Sequence, residues 1–565
     1  MSARNALAPL RRLAAFVLVL ALGLAAVATP PARAARGVAA AMDSLLTASY
    51  RPDEPGAAVI VVRDGKTILR KGYGLADLEL GVRIEPDMVF RLGSVTKQFT
   101  AVAVLMLAEE GKLALDDPIT KFLPGYPTHG QTITIEHLLT HTSGIKSYTE
   151  LPEWLKLWRQ DLSLGELIAL FKDQPPDIAP GAKWSYSNSG YILLGAIIEK
   201  VSGMSYADFV RKRIFEPLGM KHTRYGSTER VIARRVPGYA KTSDGFLNAA
   251  YLSMTQPYAA GSLLSSVDDL ALWDAALYGE RLVKQSSLER AWTSYVLASG
   301  DTTGYGYGWM MTTVQGHRCI EHGGGINGFA TAVMRLPEDH TYVAVLSNRD
   351  AGPPAPSDVA LRLAALAIGS PYREPVAVKL APGQLEPLTG VYRLGPNEQR
   401  VITREGDRLF SQRSGGEKRE IFALAADEFF FQGTETRLSF VRDAAGRVTA
   451  MRARARYGPA EVAPRTDLPI PVERTVIVLD PAICDRYVGR YELAPGFVME
   501  IARDGDHMFA QATGQDRVEL FPEAETKFFL KVVDARIEFV KDTAGRVTSL
   551  TLHQGGQDIT GRRME

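Results

Sequence analysis

Runs of apolar residues divide the chain into a mixed first part and a last part made of short strands only. Residues 57–69 are β-branched and aliphatic around Asp64-Gly65, a pair that favours a two-residue turn, so they predict a β-hairpin. Residues 101–107 are all apolar, which is typical of a helix buried on every side, and Gly111 predicts its end. The early chain therefore combines strands with a core helix.

Further helices and a group of strands follow the buried helix. Apolar periodicity predicts helices at 135–139, 164–171, 191–201, 206–214, 268–277 and 359–368. Four short apolar runs separated by turns, at 305–312, 318–322, 330–336 and 342–347, predict an antiparallel meander. The early hairpin can join this meander in one sheet with helices packed on it, so residues 39–370 predict an α+β domain.

The last part of the chain repeats itself. Gly390-Val391-Tyr392 recurs as Gly489-Arg490-Tyr491, and Phe440 recurs as Phe539, each displaced by the same 99 positions. The copies contain short alternating runs between turn residues, which predicts two small antiparallel β-barrels of about eight strands each. We place them at 381–463 and 476–565, joined by a proline-rich linker.

Composition narrows the possible partners. Of the 565 residues 46% are hydrophobic and 23% charged, and the formal net charge is +1, which is typical of a globular protein with ample core and disfavours nucleic acid as a partner. The two cysteines, Cys319 and Cys484, belong to no metal-ligand cluster. We expect buried free thiols rather than a disulfide, and no metal site.

The N-terminus reads as a targeting segment. Three arginines among the first twelve residues precede an apolar stretch at 13–27, and residues 32–34 read A-R-A, a typical cleavage site. We predict a signal peptide at 1–34 and a periplasmic or secreted bacterial protein with no membrane-spanning helix after cleavage. The alternative is an uncleaved N-terminal anchor.

The first chemical motif is Ser94-Val95-Thr96-Lys97 at the start of the buried helix. Residues three apart share a helix face, so Ser94 and Lys97 lie about one turn apart. Burial lowers the pKa of a lysine, and a deprotonated lysine can take the proton of a serine nucleophile. Alternatively, Ser94 only caps the helix and Lys97 lies on the surface.

The second motif is Tyr186-Ser187-Asn188. In an extended loop positions two apart point the same way, so the phenol and the amide would face one cleft. A phenolate at Tyr186 could accept the Ser94 proton, and Asn188 could bind a substrate amide and Lys97. The alternative is that the segment only caps the following helix.

The third motif is Glu321-His322-Gly323-Gly324-Gly325, between two predicted strands. Glycines let a substrate backbone lie close against a strand. The N–H of Gly325 could oppose that of Ser94 as an oxyanion hole. The alternative is a glycine-rich hairpin turn beside a surface histidine.

In this order, the three motifs resemble the S-x-x-K, Y-x-N and H/K-x-G set of the penicillin-binding-protein and serine β-lactamase superfamily. The likeness is greatest to the class C β-lactamase-related serine hydrolases, and two C-terminal barrels resemble the layout of D-aminopeptidases within it. The resemblance implies a β-lactamase-like fold and no metal or organic cofactor. It makes Ser94 the acylated nucleophile, Lys97 and Tyr186 the proton-transfer pair, and Asn188, His322, Gly324 and Gly325 the substrate-binding residues. It also makes His141 structural.

His322 stands where many β-lactamases have lysine. Near neutral pH its charge is less certain than that of lysine, so it would bind a substrate carboxylate less firmly. We therefore expect an exported serine hydrolase acting through an acyl-enzyme on small molecules or short peptides, preferably amides with a D-residue. The alternatives are a carboxylesterase or weak β-lactamase with the same site, or a penicillin-binding sensor without turnover. Oligomeric state stays open.

Overall fold

The computed structural model describes residues 31–564 except 243–244, 374, 396–397, 415, 417, 433, 455–459, 472–475, 495–496, 514–516, 531–534 and 555–556, and the side chains of 31–36 and 557 also lie outside it. Most of the expected signal peptide, residues 1–34, therefore lies outside the described residues. The chain divides into two compact units, residues 1–373 and 374–565.

The first unit is mixed. Its strands are β1 Ala57–Arg63, β2 Lys66–Tyr73, β3 Leu75–Asp77, β4 Val82–Arg83, β5 Phe90–Arg91, β6 Arg224–Tyr225, β7 Tyr239–Thr242, β8 Gly245–Asn248, β9 Leu263–Ser265, β10 Met310–Val314, β11 His317–Ile326, β12 Phe329–Leu336 and β13 Thr341–Ser347. Its helices are α1 Pro31–Ser49, α2 Thr96–Glu109, α3 Ile135–Leu139, α4 Pro152–Leu157, α5 Leu164–Ala169, α6 Asn188–Ser202, α7 Tyr206–Val210, α8 Glu216–Leu218, α9 Tyr258–Gly261, α10 Val267–Ala276, α11 Gln285–Ala291 and α12 Pro356–Ala367.

A six-stranded antiparallel sheet organises this unit, in the order β10-β11-β12-β13-β1-β2. The early hairpin joins the late meander as predicted, because β1 pairs with both β2 and β13. The turn between β1 and β2 uses Asp64 and Gly65, both with positive φ (50° and 70°), as a tight hairpin turn requires.

The sheet is covered on both faces. Ala58 and Ile60 pack into the larger core with α2 and α6, whereas Val59 and Val61 pack into a second core with α1 and α12. Successive side chains of a strand point to opposite faces, so β1 is buried on both sides. The α+β prediction is confirmed.

Two predicted elements differ from the structure. The strand predicted at 305–312 begins only at Met310. Gly308 takes a positive φ of 80°, and a Cβ there would lie 2.7 Å from the Lys97 carbonyl oxygen. The helix predicted at 206–214 changes to a π-helical turn at Arg211–Phe215.

The second unit contains two eight-stranded copies, and its helices are α13 Pro382–Leu385 and α14 Pro481–Asp485. The strands of the first copy are β14 Gly390–Gly395, β15 Glu398–Glu405, β16 Arg408–Arg413, β17 Arg419–Ala425, β18 Glu428–Phe430, β19 Arg437–Arg442, β20 Val448–Arg454 and β21 Glu461–Pro464. Those of the second are β22 Gly489–Ala494, β23 Phe497–Asp504, β24 His507–Ala512, β25 Val518–Ala524, β26 Lys527–Phe529, β27 Ala535–Lys541, β28 Val547–Gln554 and β29 Gln557–Arg563.

The two copies of the sequence repeat have the same fold and share details of hydrogen bonding. The second copy is a closed barrel, and in the first a bridge between Tyr392 and Arg465 joins the sheet ends. Tyr392 Oη donates to the carbonyl oxygen four residues earlier at 2.7 Å, and its counterpart Tyr491 does the same at 2.8 Å. The two-barrel prediction is confirmed, while the domain boundaries at 381–463 and 476–565 stay predictions.

Among the described residues, no helix is long and apolar enough to cross a membrane. Within the same ranges, no group of three or more histidine, cysteine or acidic side chains is placed to hold a metal ion. Cys319 and Cys484 are both buried, as predicted, and neither is part of a disulfide.

Candidate active site

Ser94 lies in a 3-10 turn, Gly93–Val95, directly before α2 begins at Thr96. The predicted helix therefore begins two residues after Ser94. Ser94 and Lys97 still face each other, because Lys97 Nζ lies 3.1 Å from Ser94 Oγ. Lys97 is fully buried and Ser94 is partly exposed. The reading of Lys97 as a surface residue is wrong.

Three oxygen atoms surround the Lys97 amine. Besides Ser94 Oγ, Nζ lies 2.9 Å from Asn188 Oδ1 and 2.9 Å from the Ala260 carbonyl oxygen. Burial lowers the pKa of Lys97 well below its ordinary value. A neutral amine has two N–H donors and one lone pair. Two donors match the two carbonyl oxygens, so the lone pair is left for the Ser94 hydroxyl.

Tyr186 and Asn188 converge on this amine, but not by the predicted geometry. Asn188 is the first residue of α6 rather than part of an extended loop, and Ser187 caps that helix by accepting from Gly190 N–H. The Lys97 amine lies 4.8 Å from the centroid of the Tyr186 ring. Ser187 therefore caps the helix, while the Tyr186 ring and the Asn188 amide both lie beside the Lys97 amine.

The predicted Tyr186 phenolate is not supported. Burial raises the pKa of Tyr186, and the adjacent Ser94 side chain only partly opposes that rise. The phenol therefore carries its proton near neutral pH, and the buried lysine is the stronger candidate base. The roles of Lys97 and Tyr186 as the proton-transfer pair stay predictions.

His141 holds the segment that carries both side chains. The Ser187 N–H donates to His141 Nδ1 at 3.1 Å, the Ser185 N–H donates to the His141 carbonyl at 2.8 Å, and the His141 ring lies 4.2 Å from the Tyr186 ring. Burial lowers the pKa of His141 well below its ordinary value. The structural role expected for His141 agrees with these contacts.

The glycine run belongs to a strand, not to a turn. Residues 323–325 lie inside β11 and pair with β12, and the turn between these strands is Asn327-Gly328. The hairpin-turn alternative for the run is therefore wrong. A Cβ at Gly324 would overlap the Leu92 carbonyl oxygen, so this position requires glycine because two backbones meet there.

Gly325 presents its backbone toward the Ser94 turn. Ile326 pairs with Phe329 across the two-residue turn, so the next pair, Gly325–Ala330, does not exchange hydrogen bonds within the hairpin. Its N–H and C=O point away from β12. A Cβ on Gly93 would lie 2.9 Å from the Gly325 oxygen and 3.0 Å from its nitrogen, so this free edge adjoins Gly93.

His322 is buried rather than exposed. Its Nδ1 lies 2.6 Å from the Gly323 carbonyl oxygen and its Nε2 2.9 Å from Tyr305 Oη. A carbonyl only accepts, so Nδ1 carries the proton and Nε2 accepts from the Tyr305 hydroxyl. Burial, and to a smaller extent the nearby Lys97 amine, lowers the pKa of His322 to about 3. The alternative of a surface histidine is therefore wrong, and burial favours the neutral form of the ring.

This neutral histidine gives a pH prediction. We expect the ratio of kcat/KM for a carboxylate-bearing substrate to that for a neutral one to be the same at pH 6 and pH 8, because His322 stays uncharged across that range. Parallel steady-state assays at both pH values measure the ratio, in which effects common to both substrates cancel. A preference for the carboxylate at pH 6 that disappears at pH 8 would show a protonated His322.

Several groups that complete the site were not predicted from the sequence. Asn188 Nδ2 donates to Thr149 Oγ1 at 3.2 Å, and the Asn188 N–H donates to Ser147 Oγ at 3.1 Å. The Ala260 carbonyl oxygen and Tyr305 were missed as well. Ser147 and Thr149 follow His141 in the sequence, but nothing in their spacing indicates that they contact Asn188.

A buried lysine amine between a serine hydroxyl and an asparagine, at the edge of an antiparallel sheet, defines a serine hydrolase of the penicillin-binding-protein and class C β-lactamase-related class. The chain belongs to the β-lactamase family, whose model matches residues 36–367. Residues 473–563 match a second family, described as a domain of unknown function.

Individual proteins that are similar to this chain belong to the same class. Penicillin-binding protein 4* of Bacillus subtilis is 26% identical over 88% of this chain and 93% of its own length. The putative penicillin-binding protein PbpX of Bacillus subtilis is 33% identical over 45% of this chain and 61% of its own length.

Solved structures extend the comparison. The octameric penicillin-binding protein homologue from Pyrococcus abyssi matches at a TM-score of 0.53 with 27% identity, over 76% of this chain and 99% of its own. The D-amino acid amidase from Ochrobactrum anthropi SV3, complexed with L-phenylalanine amide, matches at a TM-score of 0.50 with 27% identity, over 56% and 92%.

Proposed function

We propose that this protein is an exported serine hydrolase that cleaves amide or ester bonds through an acyl-enzyme on Ser94. The observation that carries the proposal is the Lys97 amine, fully buried and 3.1 Å from Ser94 Oγ. Burial lowers the pKa of this amine and so favours its neutral form, whose lone pair is what a serine nucleophile needs.

Acylation begins with the Ser94 hydroxyl. Its oxygen attacks the substrate carbonyl carbon while its proton moves to Lys97 Nζ. The carbonyl oxygen becomes an oxyanion between the N–H groups of Ser94 and Gly325. As the intermediate collapses, the protonated lysine returns the proton to the leaving amine or alkoxide, with the neutral Tyr186 phenol as the relay.

Deacylation uses the same groups in reverse order. A water molecule gives its proton to Lys97 and its oxygen attacks the ester carbonyl on Ser94. The proton then returns to Ser94 Oγ as the acid leaves. Asn188 holds the amine in place through Oδ1, and no step calls for a metal or an organic cofactor.

The substrates we propose are short peptides or amides with a D-residue. Two comparisons support this class, namely the penicillin-binding protein with 93% of its length matched and the D-amino acid amidase with 92% matched. The alternatives are a carboxylesterase or weak β-lactamase with the same site, or a penicillin-binding sensor without turnover. A panel of D-amino-acid amides, D-Ala-D-Ala peptides, p-nitrophenyl esters and a chromogenic cephalosporin separates them, because a sensor releases no more than one product per protein.

Export rests on the predicted signal peptide at residues 1–34 and on the relationship to bacterial penicillin-binding proteins. We propose a periplasmic or secreted protein. N-terminal sequencing of the protein recovered outside the cytoplasm tests this, and a mature chain that begins near Ala35 is the expected result. A full-length chain confined to the cytoplasm would contradict export.

The proposed oxyanion hole can be tested by removing one backbone N–H group. Replacing Gly325 by proline removes the N–H without removing a hydrogen bond to β12, because that N–H points away from the partner strand. We expect kcat to fall by about 10²- to 10³-fold, the effect of losing one oxyanion donor. Steady-state kinetics with an activated ester measures the loss.

Gly325→Ala is the matched control. It keeps the N–H, and its Cβ meets no atom within 4 Å. We expect the alanine variant to keep wild-type kcat within about twofold, a change that corresponds to less than 1 kcal/mol of barrier height. Equal kinetics in both variants, with both folded by circular dichroism, would remove Gly325 from the oxyanion hole.

A further inference from the structure

The segment from Ser147 to Thr149 is hydrogen-bonded to the first two residues of α6. The Asn188 N–H donates to Ser147 Oγ at 3.1 Å, and the Tyr148 N–H donates to Ser189 Oγ at 2.8 Å. Asn188 Nδ2 donates to Thr149 Oγ1 at 3.2 Å. The first N–H groups of a helix have no partner within that helix, so Ser147 supplies one for Asn188. The backbone and the side-chain amide of Asn188 are therefore both held by this one segment.

The hydroxyl of Thr149 contacts a second hydroxyl. Thr149 Oγ1 lies 3.0 Å from Ser147 Oγ, and either group can donate in that contact. A hydroxyl oxygen has two lone pairs, so in both cases one lone pair of Thr149 Oγ1 is left for Asn188 Nδ2. Thr149 is thus an acceptor for the amide whichever way the two hydroxyls point.

The other end of the same amide contacts the proposed base. Asn188 Oδ1 is one of three oxygens around Lys97 Nζ, at a distance of 2.9 Å. Neutral Lys97 has two N–H donors, for Asn188 Oδ1 and the Ala260 oxygen, whereas the ammonium form has three donors and no lone pair. Once Ser94 has given up its proton, its oxygen is the third acceptor. With Oδ1 toward the lysine, the amine has matching partners before and after proton transfer.

An amide turned the other way would not match. Asn188 Nδ2 would then face the amine, and an amide nitrogen only donates. It would occupy the lone pair of neutral Lys97 that the Ser94 hydroxyl needs, and it would oppose an N–H of the ammonium form. The orientation with Nδ2 on Thr149 is therefore the one in which Lys97 can act as a base.

We propose that Thr149 is a positioning residue that holds the Asn188 amide with its oxygen toward Lys97. The inference rests on the proposed function, because the orientation of the amide matters to the rate only if Lys97 gains and loses a proton. Thr149 acts through Asn188 and not on the substrate. It should therefore affect the chemical steps rather than substrate binding.

Thr149→Val tests this role, because valine has nearly the shape of threonine without its hydroxyl. We expect kcat for a p-nitrophenyl ester to fall by about 3- to 10-fold, the effect of losing one hydrogen bond. KM should change by less than about twofold, because the lost contact is not made to the substrate. Thr149→Ser keeps the hydroxyl, and its kcat should stay within about twofold of the wild type. Steady-state kinetics measures both constants, and circular dichroism checks that each variant is folded.

A double-mutant cycle separates positioning from a purely structural role. Asn188→Ala removes the amide through which Thr149 acts, so adding Thr149→Val to it should lower kcat by less than about twofold further. Both variants are assayed at a raised enzyme concentration to follow their slower turnover.

Four results would overturn the role of Thr149 while the hydrolase assignment stands. They are an unchanged kcat in Thr149→Val, an equal fall in Thr149→Ser, an equal fall with and without the Asn188 amide, and a rise in KM alone. If the wild type turns over none of the amides, peptides, esters or cephalosporin of the panel, the proposed function fails and the role of Thr149 with it.

Discussion

Ser94→Ala is expected to abolish turnover while leaving the fold intact. Only the hydroxyl is lost, and its side-chain hydrogen bond joins it to the Lys97 amine at 3.1 Å. Without the nucleophile no acyl-enzyme forms, so kcat should fall by at least about 10³-fold. Steady-state hydrolysis of an activated ester gives the rate, and thermal unfolding followed by circular dichroism checks the fold.

A serine-directed reagent supplies the control. A fluorophosphonate should label the wild type and fail to label Ser94→Ala, whereas Ser299→Ala, which changes an exposed serine, should be labelled like the wild type. Activity that survives in Ser94→Ala, or a label on another serine in the wild type, would contradict the assignment of the nucleophile.

Lys97→Met is expected to have the second largest effect. Methionine fills a similar volume but has no lone pair able to take the Ser94 proton. Loss of a general base slows a reaction by about 10²- to 10⁴-fold, and we expect kcat to fall within that range. A variant that is folded and fully active would show that Lys97 is not the base.

The same variant tests the lowered pKa of Lys97 without an assay of activity. An unfolded lysine has a pKa of about 10.4, and burial places the folded value below it. Between the two values the unfolded chain binds more protons, so the free energy of unfolding of the wild type rises with pH. Lys97→Met lacks this contribution.

The difference in unfolding free energy, wild type minus Lys97→Met, should therefore increase from pH 7 to pH 10. The substitution also leaves Asn188 Oδ1 and the Ala260 carbonyl oxygen without their donor. The stability lost in this way does not depend on pH, so it does not change the slope of the difference against pH. Urea denaturation at several pH values gives this difference. A flat difference would mean that Lys97 keeps its proton in the folded protein.

The local parts of the fold could be predicted from sequence. The hairpin at β1 and β2 follows from a turn pair between β-branched runs, and the two barrels follow from a repeat with constant displacement. Ser94 and Lys97 were brought together correctly because residues three apart meet within a single turn, whether it is 3-10 or α. Each of these features depends on contacts within one short segment.

The features of the site that were not predicted from the sequence depend on contacts between distant parts of the chain. The burial of His322 could not be predicted, since its hydrogen-bond partner Tyr305 comes from the segment before β10. The Ala260 carbonyl oxygen reaches Lys97 from 163 residues away, and a backbone atom leaves no mark in the sequence. Asn188 was placed in a loop because the motif spacing fits an extended chain, whereas the cap formed by Ser187 starts the helix at Asn188, three residues earlier than predicted.

The most direct test of an acyl-enzyme on Ser94 is the mass of the enzyme during turnover. Mature protein is mixed with a p-nitrophenyl ester, quenched in acid within the first turnover and measured intact, then digested to locate the change. We predict an added mass equal to the acyl group, on the peptide that contains Ser94, in the wild type and not in Ser94→Ala. Product released in excess of enzyme with no adduct at any time, or an adduct on another residue, would contradict it.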